Sequence, residues 1–245
     1  MPNDYKKRRE EILVIIINQY IETAKPVGSR FVARRLGLSS ATIRNAMVDL
    51  EEMGYITHPH TSAGRIPTDK GYRFYIDSLM HLRRVNENIV KMVDDEYREA
   101  MRSLEGILEK TSHLVSDLTN YVGLTIYPGN DKLYLDGASH IIEQPEFKDF
   151  KKLYCLLKCL EAKRDILNLL VDDLEDDRLR VHIGGENRTS GLNDCSIVTR
   201  GYKVKGRAAG RVGVIGPKRM VYEKVIPTIE LLANTLSDIL EGFEV

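Results

Sequence analysis

Apolar residues recur at helical spacing along the first fifty residues of the chain. The spacing predicts three helices, over residues 5–23, 29–36 and 41–53. In the third, Ile43, Met47 and Leu50 fall at positions i, i+4 and i+7 and form one apolar stripe. Gly37 and Gly54 follow the second and third helices, a position typical of glycine at a helix end. The pattern therefore predicts three short helices that bury one face each.

Serines stand at the predicted helix starts. We expect Ser29 to cap the second helix and Ser39 and Ser40 to cap the third, since a hydroxyl oxygen accepts from the free amides of a first turn. The segment between Gly37 and these serines is too short for anything but a tight turn.

A short hairpin is predicted after the third helix. Residues 55–57 and 66–67 form two strands in this interpretation, joined by a polar tip over residues 58–65, and Thr68 is a candidate cap for a fourth helix. Helix, helix, turn, helix and hairpin is the order of a winged helix-turn-helix module.

A heptad pattern follows over residues 85–118 and predicts one long linker helix. Its apolar positions alternate four and three apart: Val93, Tyr97, Ala100, Leu104, Ile107, Thr111, Leu114 and Leu118. Such a seam packs against another helix, either within the chain or in a second subunit.

The last part of the chain alternates strand and helix patterns. Strands are predicted near residues 122–126, 133–135, 179–183, 196–204 and 207–215, with a turn over 128–131 and helices over 146–170 and 218–240. The predicted fold class is α+β, with helices packed on a mainly antiparallel sheet. We expect domains over residues 1–84 and 121–245, joined by the linker helix over 85–120.

The composition is that of a globular protein of two domains. The chain has 245 residues, 42% of them hydrophobic and 29% charged. No apolar stretch approaches the roughly 20 residues that span a bilayer, and the N-terminus does not resemble a signal peptide. Three cysteines give no disulfide framework, so we expect a cytoplasmic protein.

The charge is balanced over the whole chain but not along it. Lysine plus arginine and aspartate plus glutamate both number 36, yet residues 1–84 carry five more basic than acidic side chains. In the third helix Asp49, Glu51 and Glu52 all lie in the second half, which leaves the first half without an acid. This arrangement is expected where the first turns of a helix approach DNA.

The DNA-binding prediction names four groups of residues. They are Ser29 and Arg30 at the second helix; Ser39, Ser40, Thr42, Arg44 and Asn45 at the third helix; His60, Thr61, Ser62, Gly64 and Arg65 in the hairpin tip; and Lys70, Tyr72 and Arg73 as its support. Arg44 matches guanine O6 and N7, and Asn45 matches adenine. The alternative for each residue is an ordinary solvated surface.

Several segments carry a family resemblance. They are Pro26–Ser29, Ser40–Asn45, Leu50–Tyr55, Pro59–Pro67, Leu133–Gly137, Gln144–Phe147, Asp194–Val198 and Gly213–Tyr222. Over most of its length the chain resembles the HrcA family of heat-inducible transcription repressors. The resemblance implies a bacterial, nucleoid-associated repressor of chaperone operons with a GAF-like second domain. It also implies a homodimer on an inverted-repeat DNA operator, release on heat stress, and dependence on the GroE chaperonin.

One departure from the family concerns the middle of the chain. Between Tyr127 and Leu133 the family carries a long additional segment, comprising part of the GAF-like sheet and an inserted dimerisation domain, where this chain has only a turn. If the family dimerises through that insertion, this chain uses another surface. The heptad helix and the GAF-like domain are the candidates.

The sequence offers no recognisable catalytic or metal chemistry. Cys155 and Cys159 lie four apart but have no second ligand pair, and His58 and His60 flank a proline in the hairpin. We therefore expect no enzyme activity, cofactor or metal. Two rival functions remain open: a small-molecule-sensing winged-helix regulator of other genes, and a chaperonin-binding protein with vestigial DNA contact.

Overall fold

The computed structural model describes residues 2–60, 63–100, 103–127 and 132–242. The chain divides into two compact units, Met1–His81 and Leu82–Val245. Each unit buries its own set of apolar side chains.

The first unit is a winged helix-turn-helix, as predicted. It contains α1 (Pro2–Thr23), α2 (Ser29–Leu36), α3 (Ser40–Glu52), β1 (Ile56–Thr57), β2 (Ile66–Pro67) and α4 (Asp69–Phe74). The two strands pair antiparallel, and α4 continues into a π turn over Tyr75–Leu79. The predicted stripe of α3 is buried, because Ile43, Met47 and Leu50 are each at most 5% exposed.

Local capping explains most of these boundaries. The Ser39 side chain accepts a hydrogen bond from the Thr42 amide at 3.1 Å, and Thr68 accepts from the Gly71 amide at 3.0 Å. Gly37 ends α2 at φ +65°, a conformation that glycine adopts without strain. The predicted Ser29 cap is wrong, because Gly28 is the residue that flanks α2 and Ser29 is already helical.

The predicted long linker helix is also wrong. The segment forms two helices, α5 (Glu87–Ala100) and α6 (Leu104–Thr119), and Ser103 has extended backbone angles and caps α6. Val93 and Tyr97 of α5 are fully buried, and the hydroxyls of Tyr97 and Thr111 lie 2.7 Å apart. The heptad seam therefore folds back on itself, and its packing partner lies within the chain.

The second unit is a five-stranded antiparallel sheet with helices on both faces. Its strands are β3 (Val122–Tyr127), β4 (Lys132–Asp136), β5 (Arg180–Ile183), β6 (Cys195–Val204) and β7 (Arg207–Pro217), in the spatial order β4-β3-β7-β6-β5. The remaining helices are α7 (Ser139–Ile142), α8 (Phe150–Ala162), α9 (Arg164–Leu170) and α10 (Tyr222–Glu241). Helices α6 and α10 pack on one face, and the cluster that includes Leu156 and Leu160 covers the other.

Three predictions in this unit need correction or lie outside the description. The helix predicted over 146–170 is a 3₁₀ turn over Pro145–Lys148 followed by α8 and α9, which meet at Lys163 with φ +43°. The closing helix begins at Tyr222 rather than at Lys218, and α7 was not predicted. The turn predicted over 128–131 lies outside the described residues.

Candidate nucleic-acid interface

The first half of α3 presents polar side chains to solvent. Arg44 and Asn45 are exposed, and within the described chain neither side chain has a hydrogen-bond or ion-pair partner. Ser39 and Thr42 hold the first turn in place, with their hydroxyl oxygens 2.8 Å apart. The outward direction of Arg44 and Asn45 follows from burial of the apolar stripe on the opposite face.

The second half of α3 uses its acids internally. The Tyr5 hydroxyl donates a hydrogen bond to Asp49 Oδ2 at 2.5 Å, and the Arg9 guanidinium lies 3.8 Å from the same oxygen. The hydrogen bond to Asp49 raises the pKa of Tyr5 above its usual value. Asp49 therefore anchors α1, and part of the negative charge of α3 is neutralised.

The wing, meaning the β1–β2 hairpin with its tip, is tied to the start of α2 by backbone hydrogen bonds. The Val27 amide donates to the Arg65 carbonyl at 2.8 Å, and the Arg65 amide donates to the Val27 carbonyl at 2.9 Å. A Cβ at Gly64 would lie 2.6 Å from the backbone of Val27, so the close approach requires glycine. Gly64, predicted as a DNA contact, has this packing role.

Glu51 connects the wing to α3. Its carboxylate lies 2.7 Å from Arg65 Nη2 and 2.5 Å from His58 Nδ1, so one side chain contacts both ends of the wing tip. Arg65, which the sequence predicts to contact DNA, is thus held by an ion pair on α3. This role of Glu51 has no signal in the sequence, because no local pattern links residues 51, 58 and 65.

A groove of about 390 Å³ lies between the start of α2, the exposed face of α3 and the wing. Its lining residues are Val27, Gly28, Ser29, Arg44, Met47, Val48, Ala63, Gly64 and Arg65. The structure therefore brings together four predicted residues that are distant in sequence: Ser29, Arg44, Gly64 and Arg65. Val48, which is 46% exposed, adds an apolar surface beside Arg44 that the site prediction omitted.

Other predicted residues lie elsewhere. Lys70 donates a hydrogen bond to the Met53 carbonyl at 2.7 Å, at the C-terminal end of α3, and Arg73 lies 3.4 Å from Asp77. Tyr72 has no surface for direct DNA contact, because its side chain is 2% exposed and belongs to the core.

The remaining predicted residues differ in their exposure and in whether the structure describes them. Arg30 and His60 are exposed and Ser40 is half-buried, whereas Thr61 and Ser62 lie outside the described residues. No group of three or more His, Cys, Asp or Glu side chains suited to a metal occurs in the described ranges. Within the same ranges, no helix is both long and apolar enough to cross a membrane.

Comparison with known proteins gives matches along both units. Residues 5–80 match the profile of the winged helix-turn-helix transcription repressor HrcA DNA-binding domain, and residues 126–226 match that of the HrcA protein C-terminal domain. One solved structure, described as a hypothetical protein, covers 96% of this chain and 98% of its own at a TM-score of 0.74. Its sequence identity is 21%, so this likeness concerns the fold.

Curated relatives extend the match over almost the whole chain. The heat-inducible transcription repressor HrcA of Pelotomaculum thermopropionicum is 30% identical over 335 residues, covering 96% of each protein. The protein of the same name from Geobacter sulfurreducens is 31% identical, covering 98% of this chain and 99% of its own. These alignments are longer than the 245 residues of the chain, so the relatives contain residues without a counterpart here. The chain belongs to the HrcA family of heat-inducible transcription repressors, which bind DNA at heat-shock genes and are not enzymes.

Proposed function

We propose that the chain binds an inverted-repeat operator of chaperone genes as a homodimer, and that it releases this operator on heat stress. The observation that carries the proposal is the groove between α2, α3 and the wing, where predicted contacts from three separate segments converge. The protein would act in the cytoplasm, at the nucleoid.

In this proposal the first half of α3 enters the major groove and recognises bases. The Arg44 guanidinium donates two hydrogen bonds to guanine O6 and N7, and the Asn45 amide pairs with adenine N6 and N7. Val48 contacts a thymine methyl group, because its exposed apolar side chain lies on the same face. Since Arg44 has no partner within the described chain, no intramolecular bond must break before it binds.

Phosphate contacts fix the position of the helix on the duplex. Ser29 and Arg30 at the start of α2 lie at the first turn of a helix, where free backbone amides favour an anion. The wing tip, which includes His60, Thr61 and Ser62, lies along the adjacent backbone or minor groove. Arg65 acts chiefly through Glu51, by holding the wing beside α3.

An inverted repeat requires two recognition helices related by a two-fold axis. The two half-sites are then expected about 34–36 Å apart or at a multiple of this spacing. The dimer in this proposal forms through the second unit.

Heat releases the operator because recognition depends on the relative placement of three segments. The Val27–Arg65 hydrogen bonds and the Glu51 ion pairs set that placement, and loosening them lowers affinity before the unit unfolds. The GroE chaperonin is the proposed partner that restores the binding-competent chain after stress.

Fluorescence anisotropy tests this function directly. A labelled inverted-repeat duplex from a chaperone promoter is compared with a scrambled duplex over a salt series at two temperatures, because affinity without its salt dependence is uninterpretable. We expect tighter binding to the repeat and its loss on heating. Equal, salt-sensitive binding to both duplexes would contradict the operator proposal.

A further inference from the structure

Helix α8 of the second unit has one face in the core and the other in solvent. Leu156, Cys159 and Leu160 are buried in the apolar cluster beneath the sheet. On the opposite face, Phe150 is 79% exposed and Tyr154 is 57% exposed, and their rings stack with centroids 6.4 Å apart. Phe150 has the largest exposed fraction among the large apolar side chains of the described residues. An aromatic pair held on a rigid helix in this way is typical of an interaction surface.

Six of the eight exposed residues of α8 form a continuous stripe, with Lys152 and Cys155 outside it. At 3.6 residues per turn, six exposed positions fall within about 120° of the helix surface: Phe150, Lys151, Tyr154, Lys158, Glu161 and Ala162. The three charged side chains of this stripe have no ion-pair partner within the described ranges.

We propose that this stripe pairs antiparallel with the same stripe of a second copy of the chain, about a two-fold axis beside Leu156. Positions equally far before and after Leu156 then face each other. Lys151 faces the partner's Glu161, which gives two symmetric ion pairs. The stripe is therefore self-complementary in charge, as a two-fold interface requires.

The same register also matches size and polarity. The large ring of Phe150 faces the small side chain of Ala162, so that the two helices approach closely. The Tyr154 ring faces the Lys158 ammonium, and an ammonium over an aromatic face is attractive. Both matches come from the register that pairs Lys151 with Glu161, so one arrangement satisfies charge, volume and aromatic contacts together.

This inference rests on the proposed function, because it identifies the surface that joins the two DNA-binding units. The heptad seam was the other candidate for the dimer surface. Its residues Val93, Tyr97 and Leu114 are at most 3% exposed, because they pack within the chain. The α8 stripe also accounts for dimer formation without the segment that longer relatives carry.

Charge reversal tests the register on the full-length chain. Sedimentation equilibrium is measured for the wild type, Lys151→Glu, Glu161→Lys and the double variant. We expect each single variant to weaken the dimer by about tenfold or more, because like charges then face each other twice, and the double variant to restore it. Lys91→Glu, an exposed change on α5, is the matched control and should leave the dimer unchanged. Phe150→Lys should also yield a monomer.

Three results would overturn the inference: a wild type that stays monomeric, single variants that stay fully dimeric, or a double variant that is no better than the singles. Anisotropy on the same variants separates this inference from the proposed function. If the charge variants change dimerisation as expected but the wild type shows no preference for the repeat, the operator proposal is wrong and the α8 interface is supported. If the single variants stay fully dimeric and still prefer the repeat, the α8 interface is wrong and the operator proposal is supported.

Discussion

The two ends of α3 use their polar side chains in different ways. At the N-terminal end, Arg44 and Asn45 are exposed and have no partner in the described chain. At the C-terminal end, Asp49 binds Tyr5 and Arg9 of α1, and Glu51 binds both ends of the wing tip. We infer that the first end recognises bases, whereas the second end holds the unit together and positions the wing.

The contrast between Arg44 and Arg65 shows why sequence position alone does not assign a DNA contact. Both are arginines in segments predicted to face DNA, and both line the same groove. Arg65 is paired with a carboxylate at 2.7 Å and is largely covered, whereas Arg44 is free of such a partner within the described residues. An arginine that already holds a carboxylate has part of its charge neutralised and fewer free N–H donors, so it attracts a phosphate less strongly than a free arginine does.

The largest effect that separates the two ends is expected for Arg44→Ala. The substitution removes a bidentate contact to guanine and should cost about 1–3 kcal/mol of binding free energy on the matching operator. The free energy of unfolding should change little, because the Arg44 side chain has no hydrogen-bond or ion-pair partner within the described residues. Anisotropy and urea denaturation measure the two quantities.

Lys91→Ala in the second unit is the control for loss of one positive charge. Equal loss of affinity by Arg44→Ala on matched and scrambled duplexes would show that Arg44 contacts only phosphate.

Glu51→Gln is expected to have a smaller effect, and one on stability rather than on base recognition. The neutral amide can still accept a hydrogen bond but forms no ion pair with Arg65, so the free energy of unfolding should fall by at most about 1 kcal/mol for these partly exposed groups. Where the wing contacts the DNA backbone, as one arm of the proposal has it, binding to matched and scrambled duplexes should weaken together. Glu52→Gln is the matched control, since Glu52 is exposed and adjacent. If the two variants behaved alike, Glu51 would have no role in placing the wing.

Lys70→Ala distinguishes a helix-end contact from a DNA contact. Because Lys70 donates to the Met53 carbonyl at the C-terminal end of α3, its removal should lower the free energy of unfolding by about 0.5 kcal/mol. The salt dependence of DNA binding should stay the same as in the wild type. A shallower salt slope would instead identify Lys70 as a phosphate contact.

The smallest effect concerns the pH dependence of stability. The pKa of Tyr5 is raised in the folded state by its hydrogen bond to Asp49, so the neutral phenol stabilises the fold. This contribution is complete below the ordinary pKa of 10.0 and is lost as the pH rises through the raised value. Tyr5→Phe should remove that part of the pH dependence, as measured by denaturation between pH 9 and about 11. An unchanged alkaline profile would exclude the Tyr5–Asp49 contact.

The sequence predicted the DNA-binding unit well because its boundaries depend on local chemistry. Ser39 and Thr68 cap their helices, Gly37 adopts a positive φ, and Ile43 and Met47 share one helix face. Each of these features is set by residues within one or two turns. The local pattern did not show that Tyr72 is buried, because burial in a six-residue helix depends on the elements packed around it.

The second unit was predicted less well because its helices are interrupted by tertiary contacts. A heptad seam predicts that a helix packs against another helix, but it does not identify the partner. In the structure, Tyr97 contacts Thr111 of the same segment. Likewise, no glycine or proline at residue 163 predicts the break between α8 and α9. The Lys163 side chain donates a hydrogen bond to the Leu133 carbonyl, which is thirty positions away in the sequence. In the first unit, the role of Glu51 was not predicted either, because it also depends on contacts with residues that are distant in the sequence.

The most direct test of guanine recognition by Arg44 replaces single guanines of the operator by 7-deazaguanine, which lacks the N7 acceptor. Affinities of the wild type and of Arg44→Ala are compared by anisotropy for each substituted duplex. We expect the wild type to bind more weakly when one particular guanine in each half-site is substituted, and the affinity of Arg44→Ala to stay the same for that substitution. Equal weakening of both proteins, or of neither, at every guanine would contradict base recognition by the free end of α3.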